Sequence, residues 1–186
     1  MGILQSDQAR RRYAVACLVG AIAGFISGFV KLGWEIPLPP RTPARNATQP
    51  PVQLLQQLGI PEHATHLGYT YNGNADLMWV GFLMHFAFSI AVAIFYCVVA
   101  ERFPQIKIWQ GVAFGLLVWI GFHEVLLPLF GTIPAPWHQP WQEHLSEALG
   151  HALWMWVIEL VRRDLRSRIT RAPDPEATPS PAGSSD

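Results

Sequence analysis

The sequence predicts an all-α integral membrane protein, a four-transmembrane-helix bundle with a proline-rich outer loop. Three observations carry this. Hydrophobic residues make up 51% of the 186 residues and charged residues only 14%, against roughly 25% charged in a soluble domain. Four segments stay mostly apolar over about the 20 residues that a bilayer crossing needs. The Lys and Arg residues gather on one side of those segments. The formal net charge is zero, so overall charge points to the lipid bilayer as partner and to no nucleic acid.

Residues 1–12 form a cytoplasmic N-terminal segment ending in Arg10, Arg11 and Arg12. The membrane domain covers residues 13–171, with spans at about 13–36, 76–100, 108–133 and 144–161. The first apolar run exceeds the usual 7–15 residues of a signal-peptide core and closes on no small-x-small cleavage site, so it reads as a span. The fourth is the shortest and the most polar. Cys17 and Cys97 sit a few residues inside spans at their basic ends; on the reducing side of a membrane they stay thiols, as two small core residues.

Residues 37–75 form the outer loop. "PLPPRTP" is stiff and extended, because each proline fixes its own φ and restricts its predecessor. "PVQLLQQLG" reads as a short helix with Pro51 near its start and Gly59 at its C-cap. "YNGN" reads as a turn. The tail, 172–186, is rich in Pro and Ser and is expected to be disordered in the cytoplasm.

Of the thirteen Lys and Arg residues, all but Lys31, Arg41 and Arg45 fall on one side. The positive-inside rule therefore makes the chain multi-pass with both termini cytoplasmic. Trp34, Trp79, Trp109, Trp137 and Trp141 fall near span ends, as an aromatic belt does. On the first span Gly20, Gly24 and Gly28 repeat at every fourth position. Small residues let helices approach closely in lipid, so this face serves packing within the bundle or a homodimer. Gly111 and Gly115 repeat the pattern once.

Ionisable groups are costly in a membrane and mark functional sites. At about 1.5 Å per residue, Lys31, Glu35, His85, His123, Glu147 and His151 fall in one layer of the outer half, with Glu124 and His144 beside it. Four spans contribute. Lys31 and Glu35 share a face, as do His144, Glu147 and His151. The expected result is a polar cavity opening outward under the loop; the inner half offers only an interfacial Glu159, with Arg163 as its i,i+4 partner. Plainer readings exist: a Lys31–Glu35 ion pair near the interface, His85 bonding Ser89 or another helix, Glu143 and His144 as ordinary interfacial residues, and Glu124 facing the loop or a partner. His85, His123, Glu147 and His151 also form a plausible ligand set for a transition metal. The Glu147/His151 spacing is not the di-iron Glu-x-x-His, however, and no HExxH is present. No other cofactor is required by the sequence.

"RRYAVACLVGAIAGFISGFVKLGWEIPLPPRTP", "YCVVAERFPQIKIWQG" and "SEALGHALWMWVIELVRRDLRSRIT" followed by "PDPE" closely resemble the YagU-like family of bacterial inner-membrane proteins, over nearly the whole chain. The resemblance implies a multi-pass protein of the bacterial inner membrane with a link to acid resistance. The family's lysine-glutamate pair before PLPPR matches Lys31 and Glu35. Its single histidines in the middle spans match His85 and His123. Its SE-x-x-GH pattern matches Ser146, Glu147, Gly150 and His151. Glu124 falls outside the pattern.

Three functions fit these residues: a proton-responsive or small-solute and ion transport protein, a metal-binding membrane protein or enzyme, and a structural subunit without chemistry. The first is favoured, because histidine titrates near neutrality and small shifts move it across the useful range. No nucleophile arrangement and no Gly-rich phosphate loop supports an enzyme. The topology is directly testable. In intact spheroplasts an impermeant thiol reagent should label a cysteine placed at Thr48 and spare one placed at Ser184; the reverse pattern would invert the orientation.

Overall fold

The computed structural model describes residues 5–42, 49–71 and 74–175. Part of the outer loop (43–48) and most of the expected disordered tail (176–186) lie outside the described residues. The chain forms helix α1 (Tyr13–Trp34), two short helices α2 (Pro50–Gln57) and α3 (Glu62–Thr65), and strands β1 (Gly68–Tyr71) and β2 (Asn74–Met78). Helix α4 (Trp79–Arg102) follows. The next segment is broken into α5 (Val112–Trp119), a π-helical stretch Ile120–Leu126, and α6 (Leu127–Leu129). Helix α7 (Trp141–Thr170) completes the bundle. Among the described residues three helical segments are long and apolar enough to cross a membrane: Tyr13–Trp34, Trp79–Arg102 and Pro104–Leu129. The fold is that of an α-helical membrane protein, and α7 is not among those three.

The loop helix forms where its proline and glycine predict. Pro50 and Pro51 occupy its first turn, and Gly59 follows its last residues at φ +93°. A small antiparallel hairpin interrupts the otherwise helical chain. The turn expected at "YNGN" falls on Asn72 and Gly73, outside the described residues; the flanking Tyr71 and Asn74 pair across the strands. Because β2 holds Asp76 to Met78, the second span starts at Trp79, three residues later than its hydropathy suggests.

The third span also starts late. Ile108 was expected to open it, but Trp109, Gln110 and Gly111 take φ of 52°, 54° and 84°, and regular α-helix begins at Val112. Left-handed residues other than glycine cost about 1–3 kcal/mol unless their surroundings fix them. Here the Gln110 Oε1 accepts the indole N–H of Trp156 at 2.8 Å. Helix α7 runs well past both predicted ends (144–161), since nothing between Pro140 and the left-handed Arg171 breaks it.

Helix α1 packs against α4 and α7, and α5 packs against α7. A Cβ added at Gly20 would lie 2.6 Å from the Ile94 Cα, and one at Gly24 would lie 2.6 Å from the Ile90 Cα. Gly28 faces the Phe86 ring. Of the two uses expected of that face, packing within the bundle is the one seen: α4 of the same chain lies against it. Below the crossing, Ala93, Tyr96, Cys97, Met155 and Ile158 form a closed apolar core.

The end of the bundle that holds Arg12 and Arg162 is more polar inside than the sequence suggests. Glu101 is buried and accepts hydrogen bonds from the Arg166 guanidinium and from the Arg12 amide. Glu159 pairs with Arg162, at 2.6 and 2.8 Å, rather than with the expected Arg163, which is exposed. Arg162 lies between two acids and serves both, reaching Asp174 at 2.7 and 2.6 Å. Lys107 also binds Asp174, at 2.6 Å. Burial alone would raise the Asp174 carboxyl, but its hydrogen bonds from Arg162 and Lys107 outweigh burial and hold it at about 2. Residues 172–175, expected to be disordered, are therefore fastened to the helix ends by this charged network.

The close α1–α4 crossing predicts that Gly24→Leu destabilises the single chain. Its side chain would meet backbone, which cannot move aside without parting the helices. The expected loss is at least about 1–3 kcal/mol, read as a lower thermal midpoint in detergent at unchanged oligomer size. An unchanged midpoint would mean that the two helices do not meet at Gly24.

Candidate functional site

The site starts from α7. Its row Leu145, Leu149 and Trp156 is 48%, 44% and 41% exposed, whereas Glu147 and His151 are 6% and 4% exposed. The apolar side thus faces outward and the ionisable side faces α1 and α5. Gly150 makes this possible: a Cβ there would lie 3.2 Å from the Lys31 Nζ and 3.0 Å from the Trp34 ring. The missing side chain is the space through which Lys31 reaches α7.

Lys31 donates to Glu35 Oε1 and to Glu147 Oε2, each at 3.0 Å. Arg41, from the proline-rich stretch after α1, lies 3.5 Å from Glu147 Oε1. His151 Nδ1 lies 2.8 Å from the Glu147 carbonyl and 3.5 Å from its carboxylate. A carbonyl only accepts, so Nδ1 carries the proton, and Nε2 is the position free to gain another. His123, from the π-helical stretch, points its Nδ1 at Glu147 Oε1 from 3.8 Å, and its ring stands edge-on to His151 at 5.0 Å between centroids. π-helical turns are rare and recur at functional sites. Here one presents His123 to Glu147 and turns its neighbour Glu124 away.

These groups line a cavity of about 330 Å³. All six residues that depth counting placed in one layer, Lys31, Glu35, His85, His123, Glu147 and His151, border it. His85 stands apart from the ion-paired group, donating Nε2–H to the Gly28 carbonyl at 3.0 Å. Phe82, Phe88, Phe122 and Leu127 form an apolar wall, and Pro50, Pro51 and Leu54 of α2 close the outer side. Helix α2 is tied down by Gln57, whose side chain donates to the Phe130 carbonyl and accepts from Thr132 at 2.7 Å.

Glu124 and His144 form a separate pair at 2.7 Å. The second nitrogen of His144 donates to the Pro136 carbonyl at 3.0 Å. A small void shared with His123, Glu143 and Glu147 separates this pair from the main cavity. Glu143, expected at the interface, is buried and accepts the Thr42 amide at 3.4 Å. Ser146 donates to the Leu38 carbonyl at 2.6 Å, so the first turns of α7 hold the "PLPPR" stretch in place. Sequence reasoning missed Arg41 as a member of the site. It lies in the proline-rich stretch past the end of α1, where helix geometry gives no depth or face, and so it reads only as one of the few basic residues outside.

His123, Glu147 and His151 can bring one ligand atom each within 4.8 Å of one another, and His85 does not join them. The donor set suits a transition metal only in part. Lys31 and Arg41 already hold both oxygens of Glu147, and two fixed positive charges repel a dication. The arrangement is better suited to protons and small polar solutes.

The family model described as "Protein of unknown function (DUF1440)" matches residues 25–160. The chain is 43% identical to the inner membrane protein YagU of Escherichia coli (strain K12), over 92% of this chain and 94% of that protein. No solved structure matches.

The Lys31–Glu147 pair predicts strong coupling. Breaking a buried pair from one side costs about 3–5 kcal/mol, because the remaining charge is uncompensated. Lys31→Met and Glu147→Gln should each lower the thermal midpoint in detergent, and the double variant should lose clearly less than the sum. Strict additivity of the two losses would mean that the charges do not meet.

Proposed function

The chain belongs to the DUF1440 family, and we propose that it is a proton-responsive protein of the bacterial inner membrane that binds and moves a small solute or ion through its outer cavity. In this reading α7 is the fourth span and both termini are cytoplasmic. The name of the 43% identical relative, an inner membrane protein, supports the compartment. The outward stripe of Leu145, Leu149 and Trp156 supports the fourth crossing. The response to external acid is the role that the family resemblance implies.

One observation carries the proposal: three histidines and two carboxylates border a single cavity in the outer half of the bundle. A proton arriving from outside meets Glu35, His85, His123, Glu147 and His151, with Lys31 and Arg41 between the carboxylates. Glu124, Glu143 and His144 stand behind His123. Any proton gained changes which partners Lys31 and Arg41 hold, and so changes the contacts joining α1, the outer loop and α7. The inner side of the cavity ends on the apolar core around Ala93 and Met155, so release to the cytoplasm requires α7 or α5 to shift.

The test is proton uptake by the purified protein on acidification from about pH 7.5 to about pH 5, the range in which histidine titrates. Wild type should take up about one proton more than a His123→Gln/His151→Gln/Glu147→Gln variant, measured with a pH-sensitive dye in weakly buffered detergent solution. Equal uptake would show that the cluster does not titrate over this range and would remove the proposal.

A further inference from the structure

We infer that Asp174 is a latch: it fastens the start of the third span to α7 at the end of the bundle opposite the cavity, and the two part there when its carboxylate lets go. The latch itself stands apart from the reading above. What its opening serves, passage out of the cavity, rests on that reading.

The course of the chain places the carboxylate. Arg171 ends α7 in the left-handed conformation, at φ 51°, and the residues after it run back along the helix. The Pro173 carbonyl accepts from Arg166 at 3.1 Å, and Asp174 accepts from Arg162 at 2.7 and 2.6 Å. From the other side comes Lys107, in the stretch Pro104–Gly111 that leads into α5. It donates to Asp174 at 2.6 Å and to the Pro175 carbonyl at 2.7 Å.

Charge makes this contact a latch. Lys107 and Arg162 are both cations and cannot bond each other. A carboxylate between them turns repulsion into two charge-assisted hydrogen-bonded pairs. The neighbouring acids do not stand in for it. Glu159 is bonded to Arg162 and to the Tyr96 hydroxyl, and Glu101 to Arg166 and the Arg12 amide. Among the described residues Lys107 bonds to neither of them; its partners are Asp174 and Pro175. Arg166, 4.0 Å from Asp174, adds a further positive charge. Without the Asp174 carboxylate, Lys107 is left beside two arginines with no acid of its own.

The latch also sits where opening is needed. Two other ties join Pro104–Gly111 to α7, and both lie nearer the middle of the bundle. A Cβ on Gly111 would lie 3.1 Å from the Met155 carbonyl, and Gln110 accepts the Trp156 indole N–H. Next to them Tyr96, Cys97, Met155 and Ile158 form the closed apolar core between this end and the cavity. Through Tyr96 and Glu159 that core is bonded to Arg162. Freeing Lys107 from α7 therefore loosens the outermost contact in front of the core.

The experiment uses Cys97, 1% exposed, as its probe in the detergent-purified full chain carrying Cys17→Ser. The rate at which methyl methanethiosulfonate modifies Cys97 is followed by mass spectrometry. Asp174→Asn should speed the reaction at least about tenfold, and Asp174→Glu, which keeps a carboxylate, should restore much of the protection. Asp164→Asn, which removes the exposed partner of Arg168 instead, should leave the rate unchanged. A cysteine placed at Ser27, buried where α1 meets α4, in a chain without the native thiols, separates local opening from general loosening: Asp174→Asn should not change its rate. If Asp174→Asn leaves Cys97 protected, or speeds both positions alike, the inference is overturned. Protected Cys97 with normal proton uptake removes the latch and keeps the proton reading; failed uptake with a freed Cys97 removes the proton reading and keeps the latch.

Discussion

A buried carboxylate is costly unless positive charge meets it, and this end of the bundle is arranged around meeting Glu147. Lys31 reaches it from α1 at 3.0 Å. Gly150 leaves room for this contact, since a Cβ there would crowd the Lys31 Nζ and the Trp34 ring. The same crossing lets the Trp34 indole N–H reach the Ser146 carbonyl at 3.1 Å, which fixes the height of α1 against α7. Arg41 adds a second positive charge from the loop, so the proline-rich stretch is bound to the bundle by electrostatics as well as by backbone hydrogen bonds. Removing the lysine takes away the nearer of the two cations on Glu147, and removing the carboxylate leaves Lys31 with Glu35.

Two charged layers, one near each end of the bundle, enclose an apolar middle. Outside lies the Lys31–Glu147 cluster; inside lie Glu101–Arg166 and Glu159–Arg162–Asp174. Between them Ser27 and Ser89 approach each other, and the Trp154 indole donates to the Ser89 hydroxyl at 2.8 Å. Tyr96 joins the middle to the inner layer by donating to Glu159 at 3.0 Å. Among the described residues, the middle between these two layers carries no Asp, Glu, His, Lys or Arg. The π-helical stretch at Ile120–Leu126 is the part of the third span where the regular hydrogen-bond ladder is already altered.

Much of this was legible in the residues. Depth counting placed Lys31, Glu35, His85, His123, Glu147 and His151 in one layer because helix rise is nearly constant, so an error of a residue or two moves a group by only about 3 Å. The glycine face was legible as a close contact, but its partner was not: Gly24 reads the same whether α4 or a second chain lies against it. The left-handed turn at Trp109 and Gln110 left no trace, since neither residue type favours that conformation. Arg41 and Asp174 escaped for a common reason. Both lie in proline-rich segments that look extended and solvent-exposed, and only the fold brings them back onto a helix of opposite charge.

Helix α7 shows how an average over a helix hides its two sides. Averaged over its length it carries Glu143, His144, Glu147, His151 and Glu159, and by hydropathy it ranks behind the other three long helical segments. The average hides two sides: Leu145, Leu149 and Trp156 are exposed and apolar, while the ionisable groups are spent on contacts with α1, the outer loop and the tail. A helix with one apolar face and one paired polar face can lie in a membrane if other helices cover the polar face. Here α1 and α5 provide that cover. The contact that matches Glu147 to Lys31 is thus also one of those that cover the polar face of α7.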